Sequence, residues 1–210
     1  MAFDFKKEYR MFYLPTMQPE ILEVPRMNFV AVRGEGDPNT PGGAYQRALG
    51  VLYAVSYALK MSKMTDYRIE GYFDYVVPPL ESFWRQPGTQ RIDYARKADF
   101  RWIACIRLPD FVSAEDFHWA VSKAERKKKL DCATAEFMTI EEGLCVQIMH
   151  LGPYDEEPAS VAAMEKHIRD CGYVTDFSNV RQHHEIYLSD PRRTAAEKLK
   201  TVIRHPIRRS

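Results

Sequence analysis

The strongest constraint on the fold is an order of segments that occurs twice along the chain. In the first copy, the β-rich segment "RMNFVAVRGEG" ends at glycines, and a helical segment and two further β-rich segments follow it. In the second copy, "GLCVQIMHLGPY" ends at Gly-Pro and the same order returns. Each copy closes on Arg-x-Pro, at 107–109 and at 204–206. We interpret the chain as an internal duplication of a strand–helix–strand–strand module.

Each predicted helix carries one apolar stripe at spacings of three and four residues, which is the period of a helix that packs on a sheet. In the first copy the stripe comprises Tyr45, Leu49, Leu52, Val55 and Leu59. In the second copy it comprises Val161, Met164, Ile168 and Cys171. The second helix also has acids in its first turn and Gly172 at its end, which are ordinary helix boundary signals.

The remaining strands are predicted in "YRIEGYFDYVVPP", "FRWIACIRLP", "RQHHEIYLSDP" and "KLKTVIRHPI". Residues 80–98, between the first two of these, are polar and contain Pro and Gly, so a loop is predicted there. A helix over about 113–129 is predicted to connect the modules, because Ser113 and Asp116 form a capping-box pattern.

Two such modules can pair their sheets about a pseudo-twofold axis. We therefore predict a single α+β domain over residues 1–210, with antiparallel sheets, flanking helices and a central ligand groove. The first module covers about 28–110 and the second about 135–208, with the connecting helix between them.

Composition is that of an ordinary globular protein. Apolar residues make up 45% of the 210 residues and the formal net charge is +1, so neither nucleic acid nor an anionic membrane is an expected partner. The N-terminus has no signal-peptide h-region and no apolar run reaches about 18 residues, which favours a cytoplasmic protein. The four cysteines include no CxxC pair, and Cys105 and Cys145 are expected to be small buried hydrophobes.

One carboxylate does not fit its surroundings. Residues 183–188 alternate as in a half-buried strand, with Glu185 at its centre. Glutamate is depleted in strands, and burying its charge unpaired is costly. Glu185 is therefore either a solvated strand residue, or half of a salt bridge with a nearby arginine, or part of a pocket that uses its charge. With Ile186 and Leu188 on the helix-covered face, Glu185 and Tyr187 are expected to point into the groove.

The other polar clusters do not indicate metal or nucleic-acid chemistry. His183 and His184 are adjacent in a strand and face opposite sides, so they cannot ligate one ion together, and neither a metal site nor another cofactor is predicted. The basic run at 126–129 and the C-terminal "HPIRRS" are typical of solvated helix ends and tails.

Four motifs resemble the GyrI-like proteins, in their stand-alone small-molecule-binding branch: "VRGEGDPN", "GPYDEEP", "HHEIYLSDPRRT" and "EKLKTVIRHP". The resemblance extends from about Phe29 to Ile207 and implies the tandem-module fold. The family includes ligand-binding domains of multidrug-responsive transcription regulators, in which a buried glutamate in an aromatic pocket receives lipophilic cations. Some stand-alone members hydrolyse cyclopropane-bearing natural products that alkylate DNA.

Under this resemblance the family glutamate is Glu185, whereas Asp190 ends the strand and is a turn residue. Tyr154 is expected to supply a catalytic hydroxyl, with capping of the local structure as the alternative. Trp84 is expected to act as a lid on the predicted loop, with packing in the core as the alternative, and Trp119 is assigned to packing. The aromatic wall of the pocket is expected to comprise Tyr72, Tyr75, Trp84, Trp102 and Tyr187.

The resemblance implies two functions of different classes. The first is a hydrolase that opens the cyclopropane ring of lipophilic DNA-alkylating compounds, with Glu185 as the general base and Tyr154 or Tyr187 polarising a conjugated carbonyl. The alternative is non-catalytic binding or sequestration of lipophilic aromatic or cationic small molecules. The family name adds gyrase inhibition as a third class. Only about 28 residues precede the first module, so no DNA-binding domain is expected there, and a monomer or homodimer fits either function.

Overall fold

Segments of the predicted types alternate along the chain in the computed structural model, which describes residues 2–89, 91–128 and 130–210. The helices are α1 (Phe5–Glu8), α2 (Arg10–Tyr13), α3 (Ala44–Lys60), α4 (Ala114–Lys128) and α5 (Glu157–Asp170). The strands are β1 (Phe3–Asp4), β2 (Glu20–Val24), β3 (Met27–Glu35), β4 (Tyr75–Val76), β5 (Leu80–Arg85), β6 (Arg101–Arg107), β7 (Glu136–Ile140), β8 (Gly143–Leu151), β9 (Tyr173–Thr175), β10 (His183–Tyr187) and β11 (Lys200–Arg209). None of the helices in the described residues is long and apolar enough to cross a membrane.

The sheet order reflects the duplication. Eight strands of the main sheet lie in the order β2-β8-β11-β10-β5-β6-β3-β7, and β9 pairs with β11. The first module is β3-α3-β5-β6 and the second is β8-α5-β10-β11, and they meet where β10 runs antiparallel to β5. The halves β8-β11-β10 and β5-β6-β3 are mirror orders, as a pseudo-twofold axis at this junction requires. The predicted α+β class with tandem modules is confirmed.

The central strand of the first module lies later in the sequence than predicted. In the segment 67–79 only Tyr75 and Val76 form a strand, whereas β5 occupies residues that we predicted to be a loop. Pro78 and Pro79 have no N–H to donate to a central ladder, so the strand begins after them. Both faces of β5 are covered, with Glu81 and Ser82 as buried as Phe83, so the strand has no alternating pattern to detect.

The connecting helix has the cap that the sequence indicates. The Ser113 N–H donates to Asp116 Oδ2 at 2.9 Å, and the Asp116 N–H donates to Ser113 Oγ at 3.1 Å. Helix α4 packs on α3, and Trp119 stacks on Tyr67 with ring centroids 4.2 Å apart, which is a packing role. Residue 129, the last of the predicted helix, lies outside the described residues.

The two faces of the sheet are covered by different parts of the chain. Helices α3, α4 and α5 cover one face, which we call the helix face. The chain before β2 covers the other, which we call the N-terminal face, with Phe5, Phe12 and Tyr13 packed in the same cluster as Ile186. Ile186 and Leu188 were expected beneath the helices, and that expectation is wrong: they pack on the N-terminal face. The residues before the first module had no assigned role in the sequence pattern, so this cover was missed.

A glycine in β3 leaves room for a tryptophan of the helix face. A Cβ on Gly34 would lie 2.2 Å from Cη2 of Trp102, so Gly34→Ala is expected to destabilise the fold by about 1–3 kcal/mol and to shift the tryptophan emission. Gly50→Ala is the matched control, because Gly50 occupies an exposed position of helix α3 with no atom within 4 Å of its Cβ position, and the change should stabilise the fold by about 0.5–1 kcal/mol. Thermal unfolding of both variants checks this. A Gly34→Ala protein as stable as the parent would contradict the packing.

Candidate functional site

Glu185 lies at the centre of β10 and points to the helix face. It is directly opposite Ser82 of β5, whose hydroxyl lies 2.7 Å from that of Tyr45 on α3. Glu185 is 6% exposed, and in the described residues it has no arginine or lysine partner. Both the solvated strand residue and the salt bridge with an arginine are thus excluded for Glu185.

The carboxylate of Glu185 is held at both oxygens. His183 Nε2 lies 2.9 Å from Oε1, and the Tyr187 hydroxyl donates to Oε2 at 2.7 Å. Because residues 183, 185 and 187 alternate along one strand, all three side chains share the helix face. The strand thus supplies a carboxylate together with the two groups that orient it.

A second carboxyl group, which the sequence analysis did not select, lies beside the first. Glu157 is the first residue of α5 and is fully buried. Its Oε2 accepts a hydrogen bond from the Tyr94 hydroxyl at 2.7 Å, while its Oε1 has no partner. Burial, followed by the charge of Glu185, raises the pKa of Glu157 well above its ordinary value. This environment favours a protonated Glu157.

A pair of imidazoles extends the cluster behind Glu185. His183 Nδ1 lies 2.7 Å from His205 Nε2, and the ring of Phe177 packs edge-on against His205. Burial, followed by the proximity of His183, lowers the pKa of His205 well below its ordinary value, so His205 is neutral. The two ring nitrogens of His183 thus contact His205 and Glu185, and the tautomer of His183 decides to which of them it donates.

Aromatic rings form one wall of the site. The Trp84 indole N–H donates to the Tyr187 hydroxyl at 3.0 Å. Tyr45 lies 5.4 Å from Trp84 and 5.1 Å from Trp102, measured between ring centroids. Tyr154 meets the ring of Tyr187 edge-on at 5.7 Å. Trp84 lies on β5 and is buried, so the expectation that it forms a lid on a loop is wrong.

Two of the predicted wall residues lie elsewhere. Tyr75 belongs to β4 and packs with Phe5 on the N-terminal face. The hydroxyl of Tyr72 donates to the Lys60 carbonyl at 2.6 Å, and its ring packs against Phe111. The structure therefore does not bring Tyr72 and Tyr75 to Glu185. Tyr45 and Tyr94 are the tyrosines that occupy the vicinity of the carboxyl pair instead.

A cleft of about 430 Å³ opens next to this cluster, between the chain after β5 and the chain before β10. Trp84 and His183 belong to its lining, and so do Arg85, Arg91 and Arg181. Glu185 and Glu157 do not belong to this lining, so the cleft adjoins the carboxyl groups through Trp84 and His183.

A separate ionic cluster lies on the N-terminal face. Glu142 accepts from Arg204 Nη1 at 2.8 Å and lies 3.0 Å from His184 Nδ1, and His184 Nε2 lies 3.0 Å from Glu81. Burial alone raises the pKa of Glu142, but the charges of His184 and Arg204 outweigh it and bring the pKa down to about 2. Arg204 Nη2 also donates to the Phe12 carbonyl at 2.7 Å, so this cluster fastens the N-terminal cover to the sheet.

Comparison with known proteins finds the same fold over nearly the full length of this chain. The model of the GyrI-like small molecule binding domain matches residues 17–208. An uncharacterized conserved protein from Listeria innocua is 45% identical with a TM-score of 0.92, over 99% of this chain and 100% of its own. Two structures described as hydrolases from Listeria innocua are 43% identical over the same shares, with TM-scores of 0.89 and 0.91. No curated protein matches the chain.

Proposed function

Because the chain belongs to the GyrI-like small molecule binding domain family, we propose that the cluster around Glu185 binds a lipophilic small molecule and hydrolyses it. The proposed substrate is a DNA-alkylating natural product of the kind that carries an activated cyclopropane ring. The observation that carries the catalytic part is the pair of buried carboxyl groups, Glu185 and Glu157, beside an aromatic wall. The 43% identical hydrolases of Listeria innocua support a hydrolytic role.

The substrate would be held by ring contacts and one hydroxyl. Trp84 and Trp102 are buried and pack on Tyr45, so these rings would form the apolar backing of the site behind Tyr187. Burial, followed by the charge of Glu185, raises the pKa of Tyr154 to about 12, so its hydroxyl stays protonated and available to donate. The Tyr187 hydroxyl already donates to Glu185. Tyr154 is therefore the better donor to a conjugated carbonyl of the substrate.

The reaction adds one water molecule across the strained ring. Glu185 takes a proton from a water molecule as the water oxygen bonds to a ring carbon. A carbon–carbon bond of the cyclopropane breaks, and its electron pair moves into the conjugated carbonyl, whose oxygen Tyr154 stabilises by hydrogen bonding. Protonated Glu157 can deliver the proton that this oxygen finally takes up. The product has gained one water molecule and has lost its alkylating group.

The first test is incubation of the purified protein with an activated-cyclopropane alkylator of the duocarmycin class. We expect a product that is heavier by the mass of one water molecule, detected by mass spectrometry, and no such product in buffer alone. Substrate that binds, as measured by quenching of tryptophan emission, but returns unchanged would contradict catalysis on this substrate class.

Binding without turnover would favour the second candidate, a sink for lipophilic compounds. Two carboxyl groups next to aromatic faces are also a suitable site for an organic cation. Under that candidate, affinity for a lipophilic cation exceeds affinity for a neutral compound of the same shape, and hydrolysis predicts no such difference.

A further inference from the structure

Three side chains of metal-ligand type converge in the candidate site, although no spacing in the sequence indicates them. Glu157, His183 and Glu185 each offer one ligand atom, and these atoms all lie within 4.8 Å of one another. All three residues are buried. We propose that these three residues bind one divalent transition-metal ion of the Zn²⁺ or Mn²⁺ type.

The outer atoms of the three candidate ligands are already oriented by neighbouring groups. Tyr94 donates to one oxygen of Glu157, and Tyr187 donates to one oxygen of Glu185. The far nitrogen of His183 contacts His205 at 2.7 Å. Metal ligands in proteins are held by such outer hydrogen bonds, which fix the carboxylate rotamer and the imidazole tautomer.

The inner atoms, in contrast, lack a complete set of partners. Glu157 Oε1 is fully buried and makes no hydrogen bond. Glu185 Oε1 lies 2.9 Å from His183 Nε2, on the side of the carboxylate that faces Glu157. If His183 carries its proton on Nδ1 and donates it to His205, the lone pair of Nε2 faces the same space as the two carboxyl oxygens.

Charge also favours a cation at this position. Two carboxyl groups lie side by side in a buried site, and the described residues supply no arginine or lysine ion pair to either of them. Such a pair is stable only with a shared proton or with a bound cation. A divalent ion would offset both charges and would occupy the unpartnered oxygen of Glu157.

The donor set determines the class of ion. One imidazole nitrogen and two carboxylate oxygens suit zinc, manganese and iron(II), whereas magnesium and calcium prefer oxygen ligands alone. Three protein ligands leave at least one coordination position for water or a ligand. The ion would require both Glu157 and Glu185 ionised, so the metal-bound form is distinct from the form that performs the proposed acid–base hydrolysis, and its binding is measured without substrate.

The test is calorimetric titration of chelator-treated protein with Zn²⁺. It should use the Cys171→Ser form, because the exposed Cys171 Sγ lies 3.9 Å from His167 Nε2 and offers a competing surface site. We expect one zinc ion per chain with micromolar or tighter affinity, and a higher unfolding temperature when zinc is present. Absence of stoichiometric binding would overturn the proposal, and the carboxyl pair would then share a proton.

Matched variants locate the ion. Glu157→Gln keeps the shape of the side chain and removes the carboxylate that would ligate the ion, so it should fold well, yet it should lose zinc binding and the zinc-dependent rise in unfolding temperature. Glu156→Gln, the exposed neighbour, should bind zinc as the parent does. Tyr94→Phe should weaken zinc binding by about 10–100-fold, because it removes an outer hydrogen bond. Parental affinity in Glu157→Gln would place the ion elsewhere and overturn the proposal.

Discussion

Replacing Glu185 with glutamine is expected to lower kcat for hydrolysis of the activated cyclopropane by about 10²–10⁴-fold, the usual contribution of a general base. The amide has nearly the same shape, and its carbonyl can still accept the 2.7 Å hydrogen bond from Tyr187. The aromatic wall is untouched, so binding of the neutral substrate should change little. Single-turnover kinetics with saturating protein, followed by mass spectrometry, measures the chemical step apart from binding.

Two comparisons make the result for Glu185→Gln specific. Glu197→Gln changes an exposed carboxylate in the same way and should hydrolyse the substrate at the parental rate. Glu157→Gln should also lose rate if Glu157 supplies the final proton. Parental turnover by Glu185→Gln would show that the proposed base is wrong. If the parent protein shows no turnover and Glu185→Gln loses affinity for cationic compounds, the non-catalytic sink is favoured.

The duplicated fold was accessible from sequence because its elements carry local signals. Helices α3 and α5 have apolar stripes, and Ser113 with Asp116 caps α4 in the predicted manner. Strand β5 has no such signal. It lies between β6 and β10 with both faces covered, so the polar and the apolar residues along it are equally buried. Whether a strand is buried on both faces depends on the packing of distant segments, which a local pattern does not contain.

The candidate site was predictable in its centre and not in its surroundings. Glu185 stood out because a glutamate at the centre of a half-buried strand is unusual. Glu157 did not, because acids in the first turn of a helix are common and only tertiary packing distinguishes a buried one from its exposed neighbours. Tyr75 was assigned to the wall by its aromatic character, yet the face that a side chain occupies depends on the strand register and on the N-terminal cover.

The largest effect on stability is expected from Arg204→Met. Arg204 is 2% exposed and pairs with Glu142 on the N-terminal face, so its loss leaves a buried carboxylate short of a cation. Breaking a buried pair in this way costs about 3–5 kcal/mol. For a chain of this size each kcal/mol lowers the unfolding temperature by about 2–4 °C, so a fall of roughly 6–20 °C is expected. The lost hydrogen bond to the Phe12 carbonyl should also loosen the N-terminal cover.

The pH dependence of unfolding separates this ionic effect from lost packing. The pKa of Glu142 is about 2 in the fold, so its pairing stabilises the parent above about pH 4.5 and is lost as the pH falls toward 2. The difference in unfolding free energy between the parent and Arg204→Met should therefore narrow on acidification, whereas a loss of packing alone would leave this difference constant.

Arg208→Met is the matched control on the same strand. Its partner Asp176 lies 3.4 Å away at the surface, and the loss of unfolding free energy should stay below about 1 kcal/mol. Equal losses from Arg204→Met and Arg208→Met would show that the cluster does not hold the fold together. Because Arg204 and Glu185 face opposite sides of the sheet, folded Arg204→Met should keep the hydrolysis rate of the parent.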